Sequence, residues 1–104
     1  MGKRERDVEK YLRSKIKSMG GACYKWRAID RKGVPDRICI LPWMGIFFVE
    51  VKRDGKRPTP IQSHTFDEIR DSGGAVFVVE GIEGVDAMVE YVNRFKLEGD
   101  NGPT

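Results

Sequence analysis

Histidine occurs once and cysteine only twice in the 104 residues of this chain. A zinc site draws about four ligands, mostly from those two residue types, and neither cysteine stands in a Cys-x-x-Cys pair, so zinc-dependent chemistry is disfavoured. Cys23 and Cys39 lie in apolar, strand-like runs and read as buried, reduced thiols. Long apolar runs are missing as well. Stretches such as Ile46–Val49 are far too short to span a bilayer. The start, Met1-Gly2-Lys3-Arg4-Glu5, lacks the apolar centre of a signal peptide. Arg6 stands where a myristoylation motif has Ser or Thr. The expected setting is intracellular and cytoplasmic, with no membrane partner. No internal repeat and no low-complexity linker is visible, and the length suits one domain around one modest core.

What the chain does have is charge, unevenly spread. Residues 1–57 hold 16 Lys and Arg against 7 Asp and Glu, a net of +9, whereas residues 58–104 hold 3 against 9, a net of −6. A basic half on a small domain points to a polyanionic partner, with nucleic acid the commonest. A solvated charged surface is the plain alternative.

The pattern along the chain alternates elements. Val8, Tyr11, Leu12, Ile16 and Met19 recur at helical spacing and predict an amphipathic helix over residues 4–19, stopped by Gly20-Gly21. Residues 22–28 read as a strand and Asp30-Arg-Lys-Gly33 as a charged turn. Two β-rich runs, 36–41 and 46–52, flank a turn around Pro42-Trp43-Met44-Gly45 and form a hairpin. A basic loop follows, then a helix opening at Thr59-Pro60 and ending at Gly73-Gly74. Residues 75–80 are a strand and residues 85–95 a last helix. Residues 98–104 are polar and Gly-rich and are expected to be disordered, leaving residues 1–97 as one domain. The order α-β-β-β-α-β-α predicts an α/β fold, a central mixed sheet flanked by helices.

Chemistry concentrates in Ile46-Phe-Phe-Val-Glu-Val-Lys52. Alternation puts Phe47, Val49 and Val51 on one face of the strand and Phe48, Glu50 and Lys52 on the other. A carboxylate and an ammonium thus interrupt an apolar strand, which is costly unless they pair or bind something. Asp36 opens the preceding strand behind Pro35. If it faces Glu50, then 38 pairs with 48 and 40 with 46, leaving a five-residue loop 41–45. A four-residue loop would slip Asp36 onto Val51 and the wrong face. Two facing carboxylates repel, and a hard divalent cation, Mg²⁺ or Mn²⁺, resolves the conflict. The backbone carbonyl of Val51 offers a further oxygen, and Lys52 stands ready to orient water or stabilise charge on a phosphate. The plain reading of Glu50 and Lys52 is an ion pair at a strand end.

Pro35-Asp36…Glu50-Val51-Lys52 resembles the PD-(D/E)xK nuclease core. Together with Gly20-Gly21…Lys25, Gly33-Val34-Pro35-Asp36-Arg37-Ile38 and Pro58-Thr59-Pro60-Ile61-Gln62, the pattern is similar to the VRR-NUC family over roughly residues 5–80. That family includes small stand-alone, often phage-encoded nucleases. The resemblance implies a restriction-endonuclease-like fold and Mg²⁺- or Mn²⁺-dependent DNA cleavage, without a small-molecule cofactor. It further implies structure-directed action on branched DNA (Holliday junctions or flaps) by a homodimer, in the host cytoplasm if the chain is phage-encoded. It also implies an acid from the first helix. Helical geometry leaves Glu5 and Glu9 both open, and the spacing to Gly20-Gly21 resembles the family's with Glu9; a Glu9–Arg13 pair is the alternative. Gln62 has two readings, as the closing residue of a Thr59-Pro-Ile-Gln62 capping box and as a site residue. Lys25 matches a family lysine near the phosphate or is a surface residue.

The expected site is thus Asp36, Glu50, Lys52 and Gln62 for catalysis, and Glu9, Asp36, Glu50 and the Val51 carbonyl for metal. Lys10, Lys25, Arg31, Lys32, Arg53, Lys56 and Arg57 are expected to meet DNA phosphates, joined on the first helix by Lys3, Arg4 and Arg6. Trp26 and Trp43 either stack on bases or pack in the core. The competing functions on the same fold are a non-catalytic nucleic-acid-binding module and a protein-interaction domain.

Overall fold

A computed structural model describes residues 4–100, with side chains through Lys96. In chain order the elements are α1 (Glu5–Ser18), β1 (Ala22–Lys25), β2 (Arg37–Leu41), β3 (Gly45–Lys52), α2 (Pro60–Asp71), β4 (Val76–Glu80) and α3 (Gly81–Asp100). The order matches the sequence pattern. The strands form one sheet in the order β1-β2-β3-β4. β1, β2 and β3 are an antiparallel meander, and α2 carries the chain across to β4, which runs parallel to β3. The sheet is therefore mixed, as a hairpin followed by a β-α-β crossover requires.

The hairpin register is the expected one, with Ile38 opposite Phe48 and Ile40 opposite Ile46. Leu41 and Gly45 pair as well, so three residues rather than five make the turn. The Met44 N–H closes it by donating to the Leu41 carbonyl at 3.1 Å, and Gly45 follows at φ +73°. A glycine in that left-handed position is the usual end of a three-residue hairpin loop. The tightening shortens the loop without slipping the register, so every side chain keeps its face.

The odd-numbered residues of β2 and β3 build the core. Cys39, Leu41, Phe47, Val49 and Val51 meet Val8, Leu12 and Ile16 of α1 and Val85, Met88 and Val92 of α3, all buried. Each such aliphatic or aromatic side chain contributes about 1.5–3 kcal/mol, so this layer carries most of the stability. Cys23 and Cys39 are free thiols facing each other across β1 and β2 at 3.4 Å. Trp43 belongs to this layer, with its indole N–H donating to the Val92 carbonyl at 2.7 Å.

α2 lies on the opposite face, which it covers only in part. Tyr24 and Ile46 keep 59% and 63% of their surfaces, and Ile40 and Val78 are also exposed. β1 stops at Lys25 rather than at residue 28: its last pair is with Arg37, and one further hydrogen bond, from the Trp26 N–H to the Asp36 carbonyl, ends the ladder. α3 starts at Gly81, four residues early; Ile82 and Val85 pack on the core and offset the poor helix propensity of Gly81 and Gly84. Its backbone continues through Asp100, so residues 98–100 of the expected disordered tail are helical. Residues 101–104 and Lys3 lie outside the described residues. No helix among the described residues is long and apolar enough to cross a membrane.

Candidate active site

Glu50 sits in β3 on the α2 face, only 1% exposed, and both of its carboxylate oxygens are engaged. Oε1 accepts the backbone N–H of Asp36 at 3.2 Å. Oε2 accepts Lys52 Nζ at 3.0 Å and Gln62 Nε2 at 3.1 Å. Asp36 is the residue just before β2, one step beyond the Arg37–Val49 pair, and its own carbonyl accepts the Trp26 N–H at 3.3 Å. The hairpin register therefore brings Asp36, Glu50 and Lys52 to one face at one end of the sheet. Val51 stands between Glu50 and Lys52 with its side chain buried in the opposite, core face.

Gln62 serves both of its expected roles at once. Its Oε1 accepts the Thr59 N–H at 2.9 Å, and its backbone N–H donates to Thr59 Oγ1 at 3.2 Å, a complete capping box at the start of α2. Only the amide oxygen can accept from Thr59, so the amide nitrogen is necessarily the end that faces Glu50. The helix cap thus fixes the orientation of a residue that holds the buried carboxylate.

The electrostatics are those of crowded acids. The Glu50 carboxyl is pushed above its usual range, first by burial and then by the charge of Asp36; Lys52 and the Asp36 N–H oppose this. Asp36 is pushed up in turn, chiefly by burial and further by Glu9, against a backbone hydrogen bond from Val51 and the charges of Lys52 and Lys25. Two hard-oxygen acids, Glu50 buried and Asp36 half-buried, fit a divalent cation: positive charge placed between them favours both ionised forms against the burial that raises them. Asp36 and Glu50 are the side chains able to hold such an ion. No group of three or more His, Cys, Asp or Glu side chains converges as a metal cluster among the described residues.

Glu9 has a different ion-pair partner from the one its helix suggests. It faces Arg37, not Arg13, accepting Nε at 3.3 Å and an Nη at 3.1 Å, and both side chains are largely buried. Its charge still reaches Asp36. Glu5 is exposed on the first turn of α1. Arg37 was not among the expected site residues. Its signal was strand parity: Arg37 shares its face with Cys39 and Leu41, so a charge there needs a buried partner.

Beside the acids a cleft of about 340 Å³ is lined by Lys25, Arg27, Arg31, Lys32, Asp36 and Gln62, with Trp26 and the Gly33–Pro35 segment. Lys25, Arg31 and Lys32 are thus brought together with the acids, and Arg27 joins them unanticipated. The wall is pinned to α2: Thr65 Oγ1 donates to the Lys32 carbonyl at 3.0 Å, and Gly33, at φ +81°, lies so close that a Cβ would sit 2.9 Å from the Ile61 carbonyl. Arg31 is paired with Glu68 of α2. Arg53, Lys56 and Arg57 occupy the exposed loop after Lys52, where Arg57 pairs with Glu80 at 3.3 Å. Lys10 is not brought to the site. It lines a groove with Tyr11 and Ile82 between α1 and α3, across the sheet from Glu50.

No protein-family model matches the chain. The chain is 40% identical over 90 residues to "Putative nuclease p44" of Acyrthosiphon pisum secondary endosymbiont phage 1, covering 86% of this chain and 96% of that one. A solved structure described as "VRR_NUC domain" is 38% identical, superposes with a TM-score of 0.78, and covers 84% of this chain and 95% of that one. The chain belongs to the VRR-NUC family. A second solved structure, "VRR_NUC domain protein", is 18% identical with a TM-score of 0.73 over 91% of this chain and 92% of that one, and so supports the fold. The Asp36–Glu50–Lys52 constellation is accordingly the candidate nuclease centre of a VRR-NUC chain.

Proposed function

We propose that this VRR-NUC nuclease is a divalent-metal-dependent DNA endonuclease, with residues 1–97 forming one domain that acts in the cytoplasm. The observation that carries the reading is the buried Glu50 carboxylate, held at once by Lys52, Gln62 and the backbone of Asp36. Asp36, Glu50 and the Val51 carbonyl would hold Mg²⁺ or Mn²⁺, with Glu9 of α1, whose carboxylate Arg37 holds, as the third acid whose charge reaches Asp36. A bound ion supplies positive charge that offsets the two acids and polarises a phosphodiester. Lys52 donates toward the reacting phosphate or its attacking water, and Gln62 keeps Glu50 from rotating away. Lys25, Arg27 and Lys32 in the cleft, and Arg53, Lys56 and Arg57 beyond Lys52, neutralise backbone phosphates without reading sequence. Selection then falls on DNA shape, which favours branched substrates such as junctions and flaps.

A homodimer is part of this reading. The exposed Tyr24, Ile40 and Ile46 on the uncovered sheet face supply an apolar patch away from Glu50. Light scattering on a size-exclusion column should give twice the chain mass, and Ile46→Lys should halve it. The decisive experiment is a panel of duplex, single-stranded, flap and four-way-junction DNA with Mn²⁺. Wild type should cut, Asp36→Ala and Lys52→Ala should not, and Lys52→Ala should still bind. Binding without cleavage of any form would instead assign the chain a non-catalytic nucleic-acid-binding role.

A further inference from the structure

A second cavity, of about 460 Å³, opens between α2 and the sheet, and nothing in the nuclease reading uses it. It shares Trp26, Arg31 and Val34 with the basic cleft, so the two spaces adjoin across these residues. We propose that this cavity receives an unpaired nucleobase of the substrate strand, stacked against Trp26 and Phe48, while that strand's phosphates follow the basic cleft to Asp36 and Glu50. The proposal rests on the nuclease reading and names a recognition element for it.

Four observations converge. The volume falls within the range of about 300–1,000 Å³ typical of small-molecule sites. The lining is mostly apolar and holds an aromatic pair, Trp26 and Phe48, with centroids 5.6 Å apart and planes inclined by 40°. Stacking is how proteins hold bases without reading their sequence. The Trp26 indole N–H is out of solvent and has no hydrogen-bond partner among the described residues. Nucleobases carry ring-nitrogen and carbonyl acceptors that would satisfy it once the Trp26 ring turns to meet the base. The position also fits: Phe48 precedes Glu50 by two residues on one strand face, roughly 7 Å away, comparable to the reach from a phosphate to its own base.

The Arg31–Glu68 pair joins the two walls of the cavity, and both side chains are substantially exposed. Exposed pairs are weak, so entry past this one is not prohibitive. A base stacked inside a duplex cannot enter. The site therefore favours strands with an unpaired base near the scissile bond, as at a flap, over continuous duplex.

The test separates base capture from cleavage. A flap oligonucleotide carrying 2-aminopurine at successive positions is titrated with the protein in EDTA, and affinity for abasic versions is read by anisotropy. One position should change its 2-aminopurine fluorescence on binding, and an abasic site there should weaken binding about tenfold or more. Trp26→Ala should abolish both effects and Trp26→Phe should keep them. Ser72→Leu, which fills the cavity from its rim and leaves the aromatic pair intact, should act like Trp26→Ala. Binding with no position-dependent signal, or an abasic penalty that survives both Trp26→Ala and Ser72→Leu, overturns the proposal. Failure of wild type to cut any DNA in Mn²⁺ would overturn the nuclease reading while leaving the base-capture result to stand or fall on its own.

Discussion

Gln62 offers a way to separate holding the fold from holding the site. In Gln62→Ala two things go: the reciprocal half of the capping box and the hydrogen bond to Glu50. Loss of a cap costs about 0.5–2 kcal/mol, and a hydrogen bond to a charged group is worth about 1.5–3 kcal/mol. Glu50 keeps Lys52 and the Asp36 N–H, so it is not stranded, and the lower end of the combined range, about 2 kcal/mol, is the appropriate one. For a domain of this size that is a drop of roughly 8–16 °C in Tm. Gln62→Glu is the informative contrast. A glutamate closes the box as well as glutamine and favours the first helical turn. Yet it can no longer donate to Glu50 and places a third carboxylate against it. Its Tm should match wild type at acidic pH and fall below it as pH rises. Cleavage in Mn²⁺ should fall about 10- to 100-fold in both variants through misplacement of Glu50. Calorimetry across pH and single-turnover cleavage of a flap measure the two effects. Wild-type cleavage by Gln62→Glu at neutral pH would refute the role given to this contact.

Raised carboxylates make a signed prediction about pH. The folded pKa values of Asp36 and Glu50 lie above the ordinary 3.8 and 4.5, so the folded chain binds these protons more readily than the unfolded chain. Their contribution to stability therefore grows as pH falls through the raised values and levels off below the ordinary ones. In metal-free buffer Asp36→Asn should raise Tm at neutral pH and flatten its pH dependence while removing cleavage; a lower Tm at pH 7 would contradict the crowding of the two acids. Mn²⁺ should raise the wild-type Tm by an amount that increases with pH, and should do so far less in Asp36→Asn. Gly33→Ala forces a side chain into a left-handed position and against the Ile61 carbonyl, at a cost of about 1–2 kcal/mol or more, and should loosen the cleft wall and weaken DNA binding in anisotropy. Arg37→Leu leaves Glu9 buried without its partner and should cost about 3–5 kcal/mol in urea unfolding, with Arg37→Leu/Glu9→Leu recovering most of it.

Much of this was legible from spacing, because strand alternation is rigid. Phe47, Val49 and Val51 on one side and Phe48, Glu50 and Lys52 on the other followed from period two alone. The facing of Asp36 and Glu50 depended on which of two hairpin registers forms, and the one the catalytic reading required is the one observed. The turn was misjudged by two residues, since turn length depends on how Gly45 and Met44 close the last pair, and that leaves the register untouched. What spacing did not carry was the third dimension. The Glu9–Arg37 pair joins residues on two elements, and the helix-local pairing rule that suggested Arg13 had no way to weigh a partner on a neighbouring strand. Lys10 was counted among the DNA contacts because charge was summed along the basic half of the chain, whereas α1 presents it on the far side of the sheet. Trp26 stayed ambiguous because its lodging depends on where α2 leaves a gap.

The two faces of the sheet divide the work, and the division explains why the site is where it is. A buried pair of acids opposes folding, so it needs a scaffold whose stability comes from elsewhere. The α1 and α3 layer provides that from the odd-numbered side chains of β2 and β3, independently of the even-numbered ones that make the site. α2 is then free to cover its face incompletely, leaving the cleft and the cavity beside Glu50 open. One helix terminus ties the layers of this arrangement together. Thr59 orients Gln62, Gln62 holds Glu50, and Thr65 one turn later anchors the Lys32–Gly33 wall. The start of α2 thus couples the acids to the cleft that would deliver a phosphate to them, and loosening it should degrade cleavage before it unfolds the domain.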